Sequence, residues 1–143
     1  MTTTGRIMAL DVGEVRIGVA VSDPLGIIAQ PYSVIAASSP EGDVDAVRNL
    51  VAETAAVRIV VGLPLNLEGQ PGPQAQKVLA FVERLRAAVD VEVVTQDERY
   101  STAAAQRVLR QAGVKRKKRK KVVDKVAAQH ILQIYLDRQT KDN

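Results

Sequence analysis

Three carboxylates far apart along the chain, Asp11, Glu98 and Asp124, are the residues whose setting points to chemistry. Asp11 closes the apolar run RIMALDV just before Gly13, and the Asp97–Glu98 pair closes a second run, VEVVTQ. In open α/β sheets, ligands gather at the carboxyl ends of parallel strands, so acidic residues at such ends are the first candidates for a site. Taken singly, each also reads as a turn carboxylate held by backbone amides. Asp124 stands at the start of the last helical pattern, on the face that Ala128, Ile131 and Tyr135 make apolar. A carboxylate turned toward a core needs a partner, which a cation or the first-turn amides of a helix it caps would both supply. Three carboxylates at one spot repel, and a divalent ion resolves the conflict. With no cysteine and one histidine, the donors are hard oxygens, which suit Mg2+ or Mn2+. Such a centre activates water for in-line attack on a phosphodiester.

Cations stand beside each of these positions. Arg16 follows the first turn and Arg99 follows Glu98, and the planar guanidinium fork matches a phosphate, although isolated arginines are more often plain surface charge. Residues 1–90 carry 7 Lys/Arg against 10 Asp/Glu, whereas residues 91–143 carry 13 against 6, so the net charge of +4 is concentrated in the last third. Its centre is the run Lys115, Arg116, Lys117, Lys118, Arg119, Lys120 and Lys121, read here as a basic segment just ahead of Asp124. That placement predicts nucleic-acid contact through the backbone, with salt-dependent affinity. With one Phe, three Tyr and no Trp, stacking platforms are scarce. Asn66 and Glu68, in the loop after RIVVGL, read as a substrate-facing wall or an ordinary connection, and His130 lies at the margin of the last helix's apolar stripe.

The elements that must position these groups follow from periodicity. Arg6–Val12 and Val15–Ser22 read as a strand hairpin, and Ile27–Ile35, which contains Pro31, as an interrupted or edge strand. Arg58–Leu63 and Val91–Gln96 are core strands. Helices are expected around Val44–Val51 and Val78–Val89, from Ser101 to Gly113, and over about Val123 to Asp137. Alternation in the middle implies parallel pairing, with an antiparallel edge from the hairpin. The 143 residues suit one domain spanning 1–143. No apolar run is long enough for a membrane helix and the start lacks a signal pattern, which predicts a cytoplasmic protein with no membrane partner.

Four segments together resemble the YqgF/RuvX family over nearly the whole chain: ALDVGEVRIGVAVSD, VVGLPLNLEG, QDERYST and the closing DKVAAQHILQIYLD with basic residues ahead of it. The resemblance implies an RNase H-like α/β fold, a mixed five-stranded sheet with antiparallel opening strands and a parallel core, flanked by helices. It also implies a metal-dependent nuclease whose acidic positions fall on Asp11, Glu98 and Asp124. Strand alternation counted from Val91 and Val93 would instead send Asp97 inward; the family pattern selects Glu98. Ala104 departs from the acidic residue common after the Ser-Thr pair. The function expected is processing of the 5′ end of pre-16S rRNA, a structured RNA, in ribosome biogenesis. Alternatives are a Holliday junction resolvase acting on branched DNA, for which a homodimer would supply paired sites, and a non-catalytic nucleic-acid-binding assembly factor.

Overall fold

The structure, a computed structural model, describes residues 5–65, 68–97 and 116–141, with side chains of the last segment described from 126 to 139. Its strands are β1 (Ile7–Val12), β2 (Arg16–Ser22), β3 (Ala29–Ala36), β4 (Arg58–Leu63) and β5 (Glu92–Asp97); its helices are α1 (Pro40–Thr54), α2 (Pro73–Ala88) and α3 (Arg116–Lys141). The sheet runs β3-β2-β1-β4-β5. The first three strands form an antiparallel meander, and β1, β4 and β5 are parallel. This is the mixed sheet the sequence predicts. Pro31 sits on the edge strand, where a missing ladder donor is tolerated, and the β2–β3 register shifts between Val19 and Ala20 to accommodate it.

Alternation divides the sheet between two cores. Met8, Leu10, Ile17, Val19, Ile59 and Val61 pack under α1 and α2, with Val47, Val78, Val82 and Leu85 from the helices. The other face carries Ile7, Ala9, Ala20, Ala29 and Val60, covered by Ala128, Ile131, Leu132, Tyr135 and Leu136 of α3. Helix α1 starts where Ser39 accepts a hydrogen bond from the Gly42 amide, with Pro40 in its first turn. Asp43 lies one turn in, where its carboxylate accepts from the Ser38 amide.

Helix α3 corrects the expected boundaries. It begins at Arg116, not near Val123, so the run from Arg116 to Lys121 forms its opening turns instead of a segment ahead of it. Lysine and arginine are good helix formers, and a packed helix extends into them although they carry no apolar period. The start of β3 is also shifted, because Ile27 and Ile28 belong to a loop organised by Asp23. The Asp23 carboxylate accepts from the amides of Leu25, Ile27 and Ile28. The helix expected from Ser101 to Gly113 lies outside the described residues. Among the described residues no helix is long and apolar enough to cross a membrane.

Candidate active site at the carboxyl ends of the strands

Asp11 is in phase with Ile7 and Ala9, which pack against α3, so it belongs to the α3 face of the sheet, at the carboxyl end of β1. It is only partly buried. Its antiparallel neighbour is Gly18. On the other side Leu10 pairs with Val61, so the next residues, Asp11 and Gly62, are level, and Gly62 pairs in turn with Gln96. One row across this face therefore reads Gly18, Asp11, Gly62, Gln96. The glycines on both sides leave no β-carbon next to the carboxylate. Arg16 shares the parity of Gly18 and Ala20, one row further toward the strand ends, which puts a guanidinium-bearing residue on the face of Asp11. The turn joining β1 to β2 is closed by the Gly13 amide donating to the Arg16 carbonyl at 2.8 Å.

Strand β5 runs one residue further than expected and ends at Asp97. Within it, Val93 packs into the α1–α2 core and Val94 against α3, so Asp97 shares the phase of Val93 and belongs to the face opposite Asp11. The parity count that sends Asp97 inward is thus right about its core, and that core is the wrong one for a shared site with Asp11. Glu98 and Arg99 lie outside the described residues, as do Lys115 and Asn66. Glu68 is exposed.

The path of α3 fixes where Asp124 falls. Tyr135 accepts a hydrogen bond from Arg58 Nη1 at 2.7 Å, at the first residue of β4, while the Ile131 carbonyl accepts from Gln96 Nε2 at 3.0 Å, near the end of β5. Moving toward the helix N-terminus is therefore moving toward the carboxyl ends of the parallel strands. Asp124 precedes Ala128 by one turn and Ile131 by two, about 10 Å beyond the Gln96 row at 1.5 Å per residue. It lies well inside Arg116–Lys141, so the reading of Asp124 as a helix cap fails: the amides a cap would satisfy belong to the first turn, from Arg116. Arg116 to Lys121 continue the same helix further in that direction. His130 is half-buried on α3. Among the described residues no three acidic or histidine side chains form a cation cluster. The donor set proposed from sequence is all carboxylate, the chemistry a hard divalent ion takes, and Asp11 fits it by standing between two glycines at a strand end.

Two polar clusters escape sequence reasoning. Arg58 donates to Glu92 Oε2 at 2.9 Å as well as to Tyr135. Burial pulls its pKa down, but the Tyr135 and Glu92 contacts outweigh that, and the guanidinium is held charged more firmly than usual. The other is Gln96, a buried amide near the end of β5, which the sequence does not distinguish from exposed Glu92 on the same phase. Away from the site, the backbone amides of Ile28, Ile27 and Leu25 hold the Asp23 carboxyl below its ordinary value.

The family described as "RuvX: Holliday junction resolvase" matches residues 5–138. A relative from Desulforamulus reducens, named "Putative pre-16S rRNA nuclease", is 51% identical over 92% of this chain and 96% of its own. Relatives of the same name from Halothermothrix orenii and Thermoanaerobacter pseudethanolicus are 48% and 49% identical, covering 95% and 94% of this chain and 97% of each of theirs. Among solved structures, Thermus thermophilus RuvC in complex with a Holliday junction substrate matches with a TM-score of 0.55 at 14% identity, over 94% of this chain and 96% of that one. The fowlpox virus Holliday junction resolvase matches with a TM-score of 0.54 at 14% identity, over 93% and 99%. These likenesses establish the RNase H-like α/β fold. By the family match along residues 5–138 and by relatives close to half identical over nearly their full length, this chain belongs to the RuvX family.

Proposed function

We propose that this protein is a cytoplasmic, divalent-metal-dependent nuclease that cuts phosphodiester bonds in structured RNA, at the 5′ end of pre-16S rRNA. The observation that carries the reading is the course of α3: one continuous helix bears the basic run and Asp124 and leads toward the strand ends where Asp11 sits. Relatives named as pre-16S rRNA nucleases, matched over nearly their whole length, support the substrate. Asp11, Glu98 and Asp124 would hold the ion, Mg2+ or Mn2+, and the bound ion would supply the acidity that turns water into a nucleophile and steadies the leaving oxygen. Arg16, on the face of Asp11, would engage a phosphate oxygen with its fork, with Arg99 as a second contact. Lys115, Arg116, Lys117, Lys118, Arg119, Lys120 and Lys121 would follow the sugar–phosphate backbone of the substrate.

A second reading, cleavage of branched DNA, is favoured by the family's description and by the fold shared with two junction resolvases. Symmetric junction cutting needs two sites, so that reading requires a dimer, which a solution mass measurement checks. Labelled precursor rRNA and four-way DNA junctions, each incubated with wild type and with Asp11→Asn, separate the readings. The rRNA precursor should be cut only with Mg2+ or Mn2+ and only by wild type. Equal cutting by Asp11→Asn would remove the carboxylate site, and binding without metal-stimulated turnover would leave a non-catalytic assembly factor.

A further inference from the structure

We propose that Gln96 is a positioning residue: its carboxamide pins α3 to β5 and so holds the turn bearing Asp124 in register with the strand end that leads to Glu98. The proposal rests on the carboxylate site argued above. Gln96 is 7% exposed, and its Nε2 donates to the Ile131 carbonyl at 3.0 Å, in the interior of α3. A side chain at this position could bury apolar surface instead, with no amide to satisfy. What the amide adds is direction.

The interface under α3 sets three sheet alanines, Ala9, Ala20 and Ala29, with Ile7 and Val60, against Ala128, Ile131, Leu132, Tyr135 and Leu136 of the helix. Apolar burial is non-directional and does not by itself fix the register of the helix along its axis. Sliding is opposed by directional ties. On β3, Gln129 Nε2 donates to the Ala29 carbonyl and Gln133 Oε1 accepts from the Ala29 amide. On β4, Arg58 donates to Tyr135. The Gln96 tie is the one on β5 and, of these, starts from the sheet residue nearest the carboxyl ends of the parallel strands, in the same row as Asp11. It joins β5, two residues before Glu98 in the sequence, to α3, two helical turns after Asp124.

The test compares wild type, Gln96→Met, which keeps the length and loses the N–H, and Gln96→Asn, which keeps the amide but shortens its reach. Each is assayed well below its melting temperature for Mn2+ binding without substrate, for kcat and KM on the nucleic acid wild type cuts, and for amide exchange in α3. Loss of a group that orients metal ligands typically costs about 10- to 100-fold in metal affinity or activity. The expected result is a loss of that size in Mn2+ affinity and kcat, unchanged KM, and faster exchange around Ile131. A merely structural role would lower the melting temperature and leave Mn2+ affinity and kcat in place, which overturns the proposal. Should Gln96→Met fail to fold, Gln96→Asn decides by the same criteria. Asp11→Asn runs alongside: if it cuts like wild type, the carboxylate site falls and the role of Gln96 with it. If it is inactive while both Gln96 variants match wild type, only the Gln96 proposal falls.

Discussion

Replacing Gly13 by alanine tests whether the β1–β2 turn holds Asp11 in place by close backbone approach. An alanine β-carbon at this position would stand 2.8 Å from the Arg16 carbonyl oxygen. An ordinary carbon–oxygen contact needs roughly 3.3 Å, so something must yield by about half an ångström. The same oxygen accepts the Gly13 amide at 2.8 Å, and retreat from the new methyl lengthens that bond. Backbone strain is not the issue, because Gly13 does not adopt a positive φ. Weakening the hydrogen bond costs about 1 kcal/mol, and overpacking adds roughly 1–3 kcal/mol. A stiffer unfolded chain returns about 0.4–1 kcal/mol. The net is a destabilisation of about 1–3 kcal/mol, or roughly 3–10 °C in Tm for a chain of this size. Thermal unfolding by circular dichroism measures it, with wild type as control. Cleavage measured where both proteins are folded should show a lower kcat for Gly13→Ala, because Asp11 lies just before the displaced turn. A Tm for Gly13→Ala equal to that of the control would refute the argument.

Other perturbations separate fold from function. Ser39→Ala removes the acceptor of the Gly42 amide and should lower stability by about 1 kcal/mol, read as a shift in urea midpoint with unchanged slope. Asp23 has a depressed folded pKa, so its contribution is present above the ordinary value of 3.8 and lost as pH falls through the folded value. Asp23→Ala should therefore be less stable than wild type at neutral pH, with the gap in urea midpoint closing in acid; a gap independent of pH would count against the three-amide anchor. Changing Lys117, Lys118 and Lys121 to glutamine keeps helix propensity and should flatten the plot of log affinity against log salt by up to about 0.7–0.9 for each phosphate no longer neutralised. An unchanged slope would place substrate binding elsewhere. Ala128→Val adds two methyls at a fully buried position between α3 and the sheet. It should cost about 1–3 kcal/mol and reduce Mn2+ affinity by moving the helix outward, as metal titration would reveal.

Much of the architecture is legible in the sequence because burial on both faces leaves a plain mark. RIVVGL marks its strand to the residue, and Pro31 announces an edge strand. The departures have physical causes. The stretch from Arg116 to Lys121 has no apolar stripe, and its lysines and arginines extend the helix by propensity alone, so periodicity places its start too late. Ile27 and Ile28 look like strand residues by composition, yet Asp23 draws their amides into a loop. Asp11 is legible as a carboxylate at a strand end. The partition of Asp97 from Asp11 requires knowing which of two cores each strand parity faces, which a single strand cannot tell. Gln96 is invisible because its partner is a backbone carbonyl of Ile131, 35 residues away, and backbone atoms leave no sequence signal.

The two sides of the sheet follow different packing logic, and the difference bears on the site. Under α1 and α2 the contact is made by branched and long side chains such as Leu10, Ile59, Val82 and Leu85. That interlocking surface anchors the sheet. Under α3, alanines on both partners let the helix backbone approach the strands closely. Close approach would serve the proposed metal site, because aspartate is short and Asp124 would have to share an ion with a second short side chain rooted in β1. Besides this apolar contact, α3 is tied by hydrogen bonds to β3, β4 and β5 at residues 129, 131, 133 and 135. These ties all lie C-terminal to Asp124 and to the turns that begin at Arg116. On the proposed function, a polyanion drawn to those turns would pull on the same helix that carries Asp124, and phosphate binding would then be coupled to carboxylate placement.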